Sequence, residues 1–168
     1  SLLPFQRSGV EQLLSWDGRG LLGDEMGLGK TRQAIACVGA LRPWPVLLIV
    51  PASLRIMWAE EFERWLPELL TPRDVHVIAG ACDALHQDAP TPKVVVTSFR
   101  MATVLQGAFT ARAWKAIVVD ESHCLGTTAR ATDAQQTEVV AALAARTRHV
   151  LLLSGTPSLS RPFALWRQ

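Results

Sequence analysis

Four apolar runs, at residues 46–50, 94–97, 116–120 and 150–154, constrain this chain more than any other feature. A strand with one wet face alternates apolar and polar residues. A run that is apolar at nearly every position belongs to a strand covered on both faces, as in a parallel sheet. Two shorter runs, 20–23 and 75–78, bring the expected strands to six. Between them lie segments with helical spacing: 10–14, 33–41, a stretch from Ser53 to about residue 66, one around 102–105, and one near 132–145. Pro43 and Pro45 stop the second of these, and Ser53 is placed to cap the third. Residues 67–74 and 82–93 read as loops, the latter exposed and marked by Pro90 and Pro92. Strands alternating with helices predict an α/β fold, a mostly parallel sheet flanked by helices on both faces.

Such sheets bind ligands at the carboxyl ends of their strands. The polar clusters of this chain fall at those ends: 24–31, 51–53, Thr97-Ser98, Asp120-Glu121 and Ser154-Gly155-Thr156. The first is the most specific. Asp24-Glu25-Met26-Gly27-Leu28-Gly29-Lys30-Thr31 follows a strand and opens a helix. Gly27 and Gly29 let the backbone turn and aim successive N–H groups at one oxygen-rich ligand. The positive end of the helix points the same way. Lys30 suits the β- and γ-phosphates, and the Thr31 hydroxyl suits Mg²⁺. The generic phosphate-loop pattern has glycine where this chain has Asp24, so an ordinary helix-start turn is the competing reading.

Asp120 and Glu121 close an apolar strand in the same predicted sheet. There Asp120 suits a magnesium ion, directly or through water, and Glu121 suits the orientation of an attacking water. The alternative is an acidic helix start. The pair favours an ATPase over a small-molecule kinase, with Ser154-Gly155-Thr156 able to couple the site to a bound polymer. Gln6 carries an amide matched to an adenine edge; a solvent-facing glutamine is the plainer reading. The segment from Ser53 to about residue 66 carries Ile56, Trp58, Phe62 and Trp65, and most of its aromatics are expected in the core.

Composition narrows the class. With 168 residues, 49% of them apolar and 19% charged, the chain is expected to be one globular domain. No apolar run reaches the roughly 18 residues of a membrane span, and the first residues lack the pattern of a secretion signal. A net charge of +2 argues against holding nucleic acid by bulk charge, though not against a local basic face. Cys37, Cys82 and Cys124 have no metal or redox spacing and fit a reducing compartment, with Cys37 expected in the core. His76, His86 and His149 are isolated and are assigned no chemistry.

In this order the motifs resemble the first motor lobe of the Swi/Snf-related ATPases of helicase superfamily two. Leu3-Pro4-Phe5-Gln6-Arg7 with Gly9 is similar to the adenine-reading Q motif, and residues 24–31 match the wording of motif I in this family, Asp24 included. Residues 49–54 with Trp58 resemble motif Ia, Thr97-Ser98-Phe99 motif Ib, Asp120-Glu121-Ser122-His123 motif II, and Leu153-Ser154-Gly155-Thr156-Pro157 motif III. The resemblance implies a RecA-like lobe using ATP and Mg²⁺. Gln6, Arg7, Asp24, Gly27, Leu28, Gly29, Lys30 and Thr31 would bind nucleotide, Thr31 and Asp120 the metal, and Glu121, Lys30 and Asp120 would serve catalysis. Ser53, Leu54, Thr97, Ser98, His123, Ser154, Gly155 and Thr156 would contact DNA or couple to it, the serines and Thr97 through short hydrogen bonds to the backbone.

The wording also resembles the annealing-helicase branch, the HepA-related or HARP-type proteins and their zinc-finger-bearing relatives. Residues 3–7, Pro51-Ala52-Ser53-Leu54-Arg55, the segment 58–65 and residues 154–162 carry that likeness. It implies sequence-independent action on duplex or branched DNA, remodelling of stalled forks in DNA repair, and a nuclear setting, with a bacterial cytoplasm as the alternative. After motif II the chain reads Cys124-Leu125-Gly126-Thr127, where the branch carries a basic residue. The expectation is a single lobe spanning 1–168 without the second lobe and its arginine finger, hence weak or no turnover alone. A non-hydrolysing nucleotide-binding or interaction module, a lobe from another chromatin-remodelling branch and, less favoured, a metabolite kinase are the other readings.

Overall fold

The computed structural model describes residues 1–85, 89–126 and 131–156. His86, Thr127 and residues 157–162 lie outside the described residues. Among the described residues, six α-helices and six strands follow in order: α1 (Pro4–Ser15), β1 (Arg19–Leu22), α2 (Lys30–Leu41), β2 (Val46–Val50), α3 (Arg55–Trp65), β3 (Val75–Val77), β4 (Val94–Ser98), α4 (Phe99–Val104), α5 (Gln106–Thr110), β5 (Ala116–Val119), α6 (Ala131–Ala145) and β6 (His149–Leu153). The strands form one sheet in the order β1-β6-β5-β2-β4-β3, every pairing parallel. All six expected strands are present, shifted by at most one residue at either end.

The period of two along each strand splits the core into two layers. Val46, Leu48 and Val50 of β2 face a layer with Ile35 and Val38 of α2, Trp58 and Phe62 of α3, and Val10 and Leu13 of α1. Leu47 and Ile49 face the opposite layer, with Ala102 of α4, Phe109 of α5, and Val139, Val140 and Leu143 of α6. Strands β2, β4 and β5 are buried at every position, which is why their sequences lack alternation. Burying each Val, Leu or Ile contributes roughly 1.5–3 kcal/mol relative to exposure, so both faces of the sheet are held with comparable strength.

Two local expectations change. Ser53 is not an N-cap: a 3-10 turn at Ala52–Leu54 precedes α3, the residue before α3 is Leu54, and no side chain caps it. Of the aromatics of α3, Trp58 and Phe62 are fully buried, as expected, while the aliphatic Ile56 beside them is 60% exposed. The helix expected around 102–105 starts at Phe99, where the Ser98 hydroxyl accepts from Met101 N at 3.3 Å, and a separate short helix, α5, follows it.

The cysteines occupy different environments. Cys37 is buried, and burial pushes its thiol up to about 11. Cys82 and Cys124 are exposed. At pH 8 a thiol-specific alkylating reagent is expected to modify Cys82 and Cys124 quickly and Cys37 only on unfolding, because thiolate fraction and access both disfavour it. Mass spectrometry of the labelled peptides reads this directly; early labelling of Cys37 would contradict the packing of α2.

Candidate functional site

The chain leaves β1 at Leu22 and turns through residues 23–29 before α2 begins at Lys30. Gly27 (φ 84°) and Gly29 (φ 78°) both occupy the left-handed region. A Cβ on Gly29 would also lie 2.4 Å from Gln6 Nε2, so that position excludes a side chain on two grounds. The Lys30 ammonium donates to the carbonyls of Asp24 (2.7 Å) and Glu25 (2.9 Å), folding the side chain back across the loop. Gln33, fully buried on α2, donates from Nε2 to Asp24 Oδ2 at 2.7 Å. Asp24 is thereby a brace of the loop, which gives a structural reason for an acid at the position where the generic pattern has glycine.

Gln6 is equally occupied. It is 3% exposed, its Oε1 accepts from Leu3 N at 3.0 Å, and its Nε2 donates to Leu28 O at 3.0 Å. The amide expected to meet an adenine edge ties α1 to the loop and keeps one N–H. Arg7 is exposed and does not line the cleft.

An open cleft of about 570 Å³ lies over the carboxyl ends of the strands. Gln6, Gly27, Leu28, Gly29, Lys30 and Thr31 line it together with Asp120 and Glu121. The phosphate-loop residues and the strand-tip carboxylates, about ninety positions apart in sequence, thus share one space. Phe5, Arg32, Met57 and Glu61 also line it, and of these Arg32 and Met57 belong to no motif noted in the sequence. Arg32 stacks 5.4 Å from the Trp65 ring centroid, and Trp65 donates to Glu61 Oε2 at 2.9 Å, so α2 and α3 form a cross-linked wall.

Asp120 sits just past β5, its N–H donating to Ile49 O at 3.0 Å. Its Oδ1 accepts from Glu121 N at 2.9 Å, and its Oδ2 accepts from the buried indole of Trp58 at 2.9 Å. Trp58 read as core in the sequence; its link to Asp120 spans 62 positions, and no local signal points to it. Glu121 follows at φ 50°, unusual for a residue with a side chain. Its Oε2 lies 3.2 Å from His123 Nδ1, which is also 3.1 Å from Ser154 Oγ. Ser154 Oγ accepts from Thr156 N at 3.1 Å, and Ser154 N donates to Leu22 O at 3.1 Å. A line of close polar contacts therefore runs from Glu121 through His123 Nδ1, which lies within reach of both Glu121 and Ser154, to Thr156. Gly155 abuts the loop: a Cβ there would lie 2.7 Å from Met26 Cγ and 3.6 Å from Lys30 Nζ.

The residues expected at DNA are dispersed. Ser53 is exposed, and Leu54 lines the cleft instead. Thr97 is fully buried and Ser98 is buried too, its hydroxyl accepting from Met101 N at the start of α4, because β4 is covered on both faces. Thr97 Oγ1 is one of two buried polar side-chain atoms without a partner among the described residues, the other being Gln33 Oε1.

A Thr hydroxyl and an Asp carboxylate on one cleft wall fit magnesium, which takes oxygen ligands and completes its shell with phosphate and water. The glycine-walled turn and the adjacent ammonium fit a polyphosphate.

Comparisons with known proteins agree with this geometry. A profile described as the SNF2-related domain matches residues 5–166. The human protein named DNA annealing helicase and endonuclease ZRANB3 is 38% identical over 172 residues, covering 99% of this chain and 15% of that protein. A Xenopus laevis protein named SWI/SNF-related matrix-associated actin-dependent regulator of chromatin subfamily A-like protein 1 is 42% identical over 172 residues, covering 100% of this chain and 17% of that protein. The solved Sulfolobus solfataricus SWI2/SNF2 ATPase core in complex with dsDNA aligns at a TM-score of 0.76 and 25% identity, covering 99% of this chain and 34% of that one. The chain thus spans 15–17% of the length of these two curated relatives.

Proposed function

Because the chain belongs to the SNF2-related domain family, we propose that it is the Mg-ATP-binding first lobe of a DNA-dependent translocase of the annealing-helicase kind. The observation that carries this reading is the meeting of Lys30, Thr31, Asp120 and Glu121 in one cleft at the strand tips. Lys30 exchanges its two carbonyl partners for phosphate oxygens. Gly27, Leu28 and Gly29 present backbone N–H groups to the phosphates. Thr31 and Asp120 hold the magnesium ion, whose chemistry when bound is to neutralise charge on the β- and γ-phosphates. Glu121 orients the attacking water, and His123 holds the Glu121 carboxylate in place. Gln6 acts on nucleotide through Leu28 and Gly29 rather than by reading the base alone.

The DNA part of the reading draws on the relatives' names and on the Sulfolobus core, which was solved in complex with dsDNA. It includes sequence-independent contact with duplex or branched DNA, fork remodelling, and a nuclear setting. A second RecA-like lobe supplies the opposing cation and the rest of the DNA track. Within this lobe the exposed hydroxyls of Ser53 and Thr156 meet a strand, and the His123–Ser154–Thr156 line carries motion between Glu121 and the end of β6.

Calorimetry and phosphate release test this. The 168-residue chain is expected to bind Mg-ATP and hydrolyse it weakly, and branched duplex DNA is expected to accelerate hydrolysis once a second lobe is supplied. Absence of Mg-ATP binding, or turnover indifferent to DNA with both lobes present, would overturn the reading.

A further inference from the structure

We propose that Trp58 is a positioning residue for the Asp120 carboxylate, its indole N–H setting the direction in which Asp120 meets a divalent cation. The inference rests on the Mg-ATP reading of the cleft and adds to it a residue that touches neither nucleotide nor metal. A buried tryptophan needs an acceptor for its single N–H. Other tryptophans here find one nearby: Trp114 donates to the backbone carbonyl of Phe109 five residues away, and Trp65 donates to Glu61 one turn earlier on its own helix. Trp58 instead donates across from α3 to the tip of β5, to a carboxylate that lines the cleft together with the phosphate loop.

The environment makes that donor rigid. Trp58 has no exposed surface and packs beside Phe62 with ring centroids 6.2 Å apart. It lies in the layer formed by α1, α2 and α3, against the inward residues of β2 and β5. The Asp120 carboxylate is then held at both oxygens, Oδ2 by the indole and Oδ1 by Glu121 N, each at 2.9 Å. Two fixed donors stop rotation of the carboxylate and leave a lone pair on each oxygen for a cation or its water. The indole is neutral, so it orients Asp120 without spending the negative charge that attracts the metal. Groups that orient a ligating carboxylate in this way typically change metal affinity by about 10–100-fold when removed.

The test separates positioning from packing. Affinity for a non-hydrolysable ATP analogue is measured by calorimetry on the 168-residue chain, in EDTA and in Mg²⁺; the ratio reports the metal's contribution. Trp58→Phe is expected to leave the EDTA value unchanged and to shrink the Mg²⁺-dependent gain by about 10-fold or more. A second variant carries benzothienylalanine at position 58, which keeps the bicyclic shape but replaces the N–H with sulfur, and it should show the same deficit. A full Mg²⁺-dependent gain in both variants overturns the proposal. So does a deficit confined to the phenylalanine variant, which would mean lost volume and not a lost donor. Asp120→Asn is the control for the underlying reading. If it retains the gain, Asp120 is not a metal ligand, and the site assignment fails together with the proposal; if it loses the gain while both position-58 variants keep it, only the role of Trp58 fails.

Discussion

Glu121→Gln is expected to retain Mg-ATP affinity within about twofold and to lower hydrolysis by roughly 10²–10⁴-fold, the usual contribution of a positioned general base. The substitution is close to isosteric. The amide can still face His123 Nδ1, so the Glu121–His123–Ser154 line keeps its geometry. What disappears is the charge that accepts a proton and fixes the water. Neither the fold nor the phosphate loop depends on that charge, because Asp120 is anchored by the Glu121 backbone N–H and not by its side chain. Phosphate release under conditions where the unaltered chain turns over measures the loss, and equilibrium binding measures the retention. Turnover near the original rate would remove Glu121 from the water-orienting role.

Lys30→Ala is expected to act at the earlier step and weaken ATP binding by about 10²–10³-fold, since hydrogen bonds to a charged group are worth roughly 1.5–3 kcal/mol each. The ammonium is held directly over the turn of the loop, with Asp24 O and Glu25 O as its partners. Its removal takes away the charge at the phosphates and a brace of the loop together. The Gln33–Asp24 bond and the two Gln6 bonds stay in place, so a cooperative thermal transition close to the original is expected. Calorimetric titration with Mg-ATP reads the loss; undiminished affinity would count against the phosphate loop as a nucleotide site.

The sheet was legible because β2, β4 and β5 are buried on both faces, and long apolar runs are what satisfy that burial. The phosphate loop was legible because its glycines, Lys30 and Thr31 are contiguous. What escaped detection is non-local. Trp58 carries the same hydrophobic pattern whether its N–H meets a solvent molecule, a carbonyl or Asp120. Gln6 reads as a free amide, and only the approach of α1 to Leu28 shows both ends of it in use. Thr97 and Ser98 look like available hydroxyls at a strand end, yet the covering of β4 encloses them. Ser53 has the chemistry of a cap, but the chain passes through a 3-10 turn before α3. The short helix α5 has only five residues, too few for a periodic signal.

The left-handed backbone at Glu121 has an evolutionary consequence. A residue with a side chain in that region carries strain on the order of 1–2 kcal/mol that glycine would not, and Glu121 is held there at φ 50°. Selection for folding alone would therefore drift away from glutamate at this position, while the Asp120 anchor, which uses only the backbone N–H, would survive the change. Decayed copies of this lobe should for that reason remain well folded after losing turnover. A silent member of such a lineage would be recognised by what stands at residue 121, long before its sheet or its phosphate loop showed wear.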